Sequence, residues 1–141
     1  MSPSSAPSLT SLNSIKARVN ELAKTVDAPT EYLPTYGTSQ QTGMPHIEVD
    51  HLYYWVVCER GSELERRSTN DLDELLYWIF SSVTFTMATD FELAHRRSGE
   101  DCRRQIFPKQ LEILAALSPQ WASRRAEELR LVLRSHPFND S

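Results

Sequence analysis

Between residues 72 and 88, apolar side chains fall on almost every side of a helical wheel. Leu72, Leu75, Leu76, Ile79, Phe80, Val83 and Met87 make one wide stripe, and Tyr77, Trp78, Phe85 and Ala88 extend it on the flanks. A helix of that kind is stable only when neighbours cover it on more than one side. The rest of the chain must therefore build around this segment, which is predicted to run to about Arg97. Its start is well marked. Asn70 is a good N-cap, and Asp71, Asp73 and Glu74 fill the first turn, where the helix dipole favours negative charge.

Ahead of it lies strand chemistry. HIEVD (46–50) alternates, with Ile47 and Val49 on one face and His46, Glu48 and Asp50 on the other. HLYYWVVCE (51–59) is dense in aromatic and β-branched residues and reads as a central strand. Turns near Asp50-His51 and at Arg60-Gly61-Ser62 let ELERRST return as a third, outer strand. That strand carries both charge signs, which discourages edge-to-edge aggregation.

Three further helices are predicted. The first places Leu12, Ile15, Val19, Leu22 and Val26 at helical spacing and stops at Asp27-Ala28-Pro29. A loop with two prolines and two glycines follows, whose Tyr32, Leu33 and Tyr36 are expected to pin it to the core. Beyond the central helix, Ser98 to Asp101 read as a cap for a helix carrying Ile106, Phe107, Leu111, Leu114 and Leu117, with Pro108 kinking it or marking its true beginning. Ser118-Pro119 opens the last helix and His136-Pro137 stops it. The predicted fold class is α+β, a small antiparallel three-stranded sheet packed against about four α-helices with a buried central helix. Residues 1–10, rich in Ser and Pro, read as a disordered tail, and 11–141 as a single domain.

Composition narrows the functional classes. The net charge is −4, unevenly spread: residues 1–95 hold 13 acids against 6 bases, and residues 96–141 hold 9 bases against 6 acids. Such asymmetry can orient a partner, and the overall sign argues against nucleic acid as the main ligand. Cys58 and Cys102 make neither a disulfide framework nor a Cys-x-x-Cys zinc pair. Cys58 reads as a small core residue. The start lacks the pattern of a secretory signal, and YYWVVC and LLYWIF are too short to span a bilayer. A soluble, cytoplasmic protein is expected.

His46, Glu48 and Asp50 share a strand face, but consecutive ones lie roughly 7 Å apart, long for a shared metal. A solvated outer face is the simpler reading. The deaminase zinc signature lacks its P-C-x-x-C half, and no metalloprotease, serine-hydrolase or phosphate-loop motif is present. His95 with Cys102 could form a nucleophile pair, but Glu92 is better placed to bind Arg96 one turn on. No catalytic residue, metal or cofactor is therefore expected.

Binding becomes the default. Glu63 and Glu65 on the outer strand, Glu48 and Asp50 beside them, and Asp71, Asp73 and Glu74 at the helix start make one candidate acidic surface, with Tyr32 and Tyr36 as aromatic anchors. Ordinary folding also explains much of this charge, since helix starts are acidic for their own stability and outer strands are charged for solubility.

Four stretches carry a resemblance to a known family: LPTYG (33–37), PHIEVD (45–50), ERGSELERRSTNDLDELLYWIF (59–80) and HPF (136–138). Across residues 12–140 the chain resembles the immunity protein 63 family of bacterial polymorphic toxin systems. The resemblance implies a small, non-enzymatic antidote that binds a cognate toxin domain in the cytoplasm, covering its active site or locking it elsewhere. It supplies no contact residues; those come from the charge argument. The competing readings are a small acidic secretion chaperone or adaptor holding an extended client segment, for which obligate dimerisation would speak, and an enzyme of unfamiliar type using His46, Glu48 or His95. Oligomeric state is left open.

Overall fold

The computed structural model describes residues 9–39 and 41–141. The tail read at residues 1–10 lies, through residue 8, outside the described residues. The elements are α1 (Leu12–Thr25), β1 (Thr35–Tyr36), β2 (Thr42–Val49), β3 (Tyr53–Glu59), β4 (Ser62–Thr69), α2 (Leu72–Ala94), α3 (Arg103–Leu117) and α4 (Pro119–Ser135). The class is α+β, as read. The sheet has four strands in the order β1-β2-β3-β4 instead of three. The extra strand, β1, is two residues long and pairs parallel with β2, Thr35 opposite His46 and Tyr36 opposite Ile47. Two residues inside a Pro/Gly loop carry no alternation, so only the pairing reveals it.

Chain contacts define two compact units. The described residues up to Glu21 form one with Leu33–Trp78, and Leu22–Tyr32 form the other with Ile79–Ser141. Helices α1 and α2 each pass from the first unit into the second.

In the first unit, β2, β3 and β4 form an antiparallel meander. The β3–β4 turn is Arg60-Gly61, both at positive φ (52° and 82°). That is the mirror-image two-residue turn whose twist matches paired strands. Gln41 ties it down, its carbonyl accepting from Arg60 N–H at 3.3 Å and its Oε1 from Gly61 N–H at 2.6 Å. Bulges interrupt β2 between Thr42 and Pro45 and β4 at Leu64, where one residue is inserted between the partners of Val57 and Cys58. Ile15, Val19, Ile47, Tyr53, Trp55, Val56, Leu75, Leu76 and Tyr77 are buried. Three consecutive buried residues, Leu75 to Tyr77, bear out a central helix covered on several sides.

In the second unit, Ala88, Ile106, Phe107 and Leu129 form a core against which Leu111 and Leu133 pack, and Phe80 stacks on Trp121 with ring centroids 6.1 Å apart. Buried Gln110 ties α2 to α3, donating to the Ser81 carbonyl at 2.9 Å, and accepts from Arg125 of α4 at 3.2 Å. α1 ends in a Schellman arrangement, with Asp27 at φ 55° and Ala28 N–H reaching the Ala23 carbonyl at 2.9 Å. Ser118 caps α4 through Trp121 N–H at 3.2 Å, as expected. Elsewhere the boundaries move. α2 stops at Ala94 rather than Arg97. α3 begins at Arg103, well past Ser98, and runs through Pro108.

Candidate functional site

The register of the sheet gathers acids at one of its ends. Val49 faces Tyr53, and Tyr53 faces Thr69 on its other side. The turn after β2 and the corner after β4 therefore emerge together, about 10 Å apart across two strand spacings. The turn supplies Asp50, whose N–H donates to the Leu52 carbonyl at 3.0 Å while its carboxylate stays exposed. The corner supplies Asp71, Asp73 and Glu74. Asp71, not Asn70, caps α2. Its carbonyl accepts from Leu75 N–H at 3.2 Å and its Oδ1 from Asp73 N–H at 2.9 Å, while its own N–H donates to Thr69 Oγ1 at 3.1 Å. Asp73 is exposed and Glu74 half-buried, both in the first turn of α2. Exposed His51 contributes the one titratable base of this turn, 3.9 Å from Asp50.

The strand acids belong to a different arrangement. The bulge at Leu64 breaks the two-residue period, so Glu63 and Glu65 do not share a face. Glu63 meets Arg66 at 2.8 Å, and Arg66 also reaches Glu48 at 3.2 Å. Glu65 meets Arg67 at 3.0 Å and accepts from Trp55 Nε1–H at 3.3 Å. The Arg66 guanidinium lies over Tyr54, and that of Arg67 over both Trp55 and Trp78. β4 is thus locally neutral. Neither arginine figured in the sequence reading, although Glu65 and Arg67, two apart on a strand, were the available signal.

His46 departs from the solvated face assigned to it. Once β1 pairs outside β2, His46 lies in an interior strand between Thr35 and Val56, and it is 3% exposed. Its Nε2 is 2.7 Å from Glu48. Its Nδ1 is buried without a partner. The hydrogen bond from His46, with help from Arg66, holds the Glu48 carboxyl below its ordinary value, and toward an ionised carboxylate Nε2 can only donate. The Arg66 hydrogen bond lowers Glu63 in the same way.

The two tyrosines differ. Tyr36 sits in β1 opposite Ile47, its hydroxyl buried without a partner and its pKa pushed up to about 12 by burial. Tyr32 belongs to the second unit, where its hydroxyl donates to Asp90, which with partial burial raises its pKa. The structure thus brings Asp50, Asp71, Asp73 and Glu74 together, and sets Glu48, Glu63 and Glu65 into an arginine lattice.

Among the described residues, no group of three or more His, Cys, Asp or Glu could hold a metal ion. His95, just past the end of α2, places Nδ1–H on the Phe91 carbonyl at 2.8 Å, and Glu92 pairs with Arg96 at 2.8 Å as expected. Among the described residues, no helix is long and apolar enough to cross a membrane.

A family model described as Immunity protein 63 matches residues 50–130, from the turn after β2 into α4. No curated protein and no solved structure matches the chain.

Proposed function

The chain belongs to the immunity protein 63 family, and from that membership we infer that it neutralises a cognate toxin domain by binding it. The toxin is of the polymorphic class and is met in the bacterial cytoplasm. The protein acts as an inhibitor rather than an enzyme, needs no cofactor, and engages neither nucleic acid nor membrane. Residues 11–141 serve as the immunity domain. The observation that carries this reading is the match over residues 50–130, more than half the chain.

The surface proposed for docking is the acidic end of the sheet. Asp50, Asp71, Asp73 and Glu74 lie in the turn after β2 and the corner after β4. A toxin domain with a basic site would be steered toward them, since complementary charge raises encounter rate more than final affinity. Tyr36, Glu48, Glu63 and Glu65 belong to the same unit and Tyr32 to the other, and none of them is assigned to this surface. Affinity beyond steering requires an aromatic or aliphatic anchor.

Co-expression tests the function. A toxin domain encoded beside this chain should kill cells alone, spare them when the chain is present, and co-purify with it. Continued killing despite folded protein would refute the assignment.

A further inference from the structure

The edge strand β4 is left over by both the fold and the acidic end of the sheet. It closes the strand order, and every residue from Ser62 to Ser68 is exposed. An exposed edge carries outward N–H and C=O groups that can template another strand. Its charge order selects the partner. Glu63-Leu64-Glu65-Arg66-Arg67 runs acids first and bases second, so reversing its direction gives its own complement.

We propose that β4 pairs antiparallel with β4 of a second copy of this chain, about a two-fold axis at Arg66 that sets Glu65 of each strand opposite Arg67 of the other. Glu65 and Arg67 face Val57 and Trp55 of β3 and so share one face of the sheet. Both contacts fall on that face, and symmetry makes each twice. A two-fold normal to an antiparallel pair passes where a residue meets its own copy, which leaves discrete choices. An axis at Arg67 gains no opposite-charge pair, since Arg66 then meets Ser68 and Glu65 meets Thr69, and at Glu65 the bulge puts Glu63 on the face away from Arg67. At Arg66 the like charges are already met within each chain by Glu63 at 2.8 Å and Glu48 at 3.2 Å. Parallel in-register approach aligns every charge with its like. The mixed signs that guard this edge against indiscriminate pairing therefore favour the register that sets opposite charges face to face. The bulge at Leu64, 60% exposed, ends the regular edge and confines pairing to a short stretch. The dimer is accordingly reversible, formed between folded chains. It goes beyond toxin binding and does not depend on it.

Sedimentation of the full chain tests this. Over a series reaching about 1 mM, the mass should rise from 16.2 kDa toward twice that value. Glu65→Arg and Arg67→Glu should each weaken self-association at least about 10-fold. An equimolar mixture of the two variants should restore a dimer, because positions 65 and 67 are then both basic on one strand and both acidic on the other. That restoration cannot come from the in-strand Glu65–Arg67 pair, which each variant has lost. Arg67 also stacks on Trp55 and Trp78, so circular dichroism must show its variant folded. If it is not, amide exchange of the unaltered chain decides, with β4 amides slowing as concentration rises and β1 amides unchanged. A chain monomeric throughout, β4 exchange independent of concentration, a dimer surviving in either unmixed variant, or folded variants that fail to associate on mixing would each overturn the proposal.

Discussion

Asp101 shows how one carboxylate can hold a chain end. Its Oδ1 accepts from Arg103 N–H and its Oδ2 from Asn139 N–H, both at 2.9 Å, while the Arg103 guanidinium closes on it at 2.8 Å. Arg103 also donates to the carbonyls of His136 (2.8 Å) and Pro137 (2.9 Å). Phe138 lies against the guanidiniums of Arg103 and Arg104. Asp140 completes the clasp, accepting from Asp101 N–H at 2.7 Å and pairing with Arg104 at 3.0 Å. Hydrogen bonds from Arg103, then from the Asn139 and Arg103 amides, hold the Asp101 carboxyl far below its usual value, and Arg104 lowers Asp140. A depressed carboxyl means that the unfolded chain takes up the proton first. Its stabilisation is complete above about pH 4 and is lost as pH falls through the folded-state value. Thermal melting should show a steep acid limb below about pH 4. Asp101→Asn should lower the melting temperature at pH 7 and flatten that limb, and an unaltered limb would show that the clasp contributes nothing. The HPF stretch was visible in the sequence. Its partner was not, because no local spacing links it to Asp101.

At the scale of elements, chain-local signals were legible. The α4 cap is Ser-Pro, and Ser118→Ala should cost about 1 kcal/mol in urea denaturation. The Arg60-Gly61 turn was read at its place but not its strain. Arg60 sits at φ 52°, which favours Asn or Gly over a side chain of its length. Arg60→Asn keeps the amide that binds Gln41 and should stabilise the domain by about 0.5 kcal/mol in the same assay. A loss would mean that the Arg60 side chain contributes contacts of its own. What stayed illegible came from register. One inserted residue at Leu64 moved Glu63 beside Arg66 and left Glu65 beside Arg67, splitting the two glutamates expected on one surface between the two faces of the strand. The two-residue β1 turned β2 into an interior strand and buried His46. Bulges and minimal strands leave no periodic trace, so a surface inferred from strand alternation was vulnerable at those two places. Asp50, Asp71, Asp73 and Glu74 lie in a turn and at a helix start, whose places in the chain do not depend on strand alternation.

Across the whole molecule, the negative charge resides in one unit. Residues 22–32 and 79–141 hold 10 acids and 10 bases, whereas residues 1–21 and 33–78 hold 9 acids and 5 bases. Within the latter, Arg66 and Arg67 pair with Glu48, Glu63 and Glu65, so the field proposed to steer the toxin is assigned to the end of the sheet that bears Asp50 and Asp73. Its reach is set by screening, about 10 Å at 0.1 M salt, comparable to the span of the cluster itself. Association with a basic toxin domain should therefore slow at least about tenfold between 0.02 and 0.5 M salt. Asp50→Lys with Asp73→Lys should remove most of that dependence and slow low-salt association to a similar degree. Asp71 is left intact because its carboxylate caps α2, so lost steering is separated from lost structure. Stopped-flow mixing measures both rates. A doubly reversed chain that keeps the native salt dependence would place the docking surface elsewhere on the molecule while leaving toxin neutralisation itself untouched.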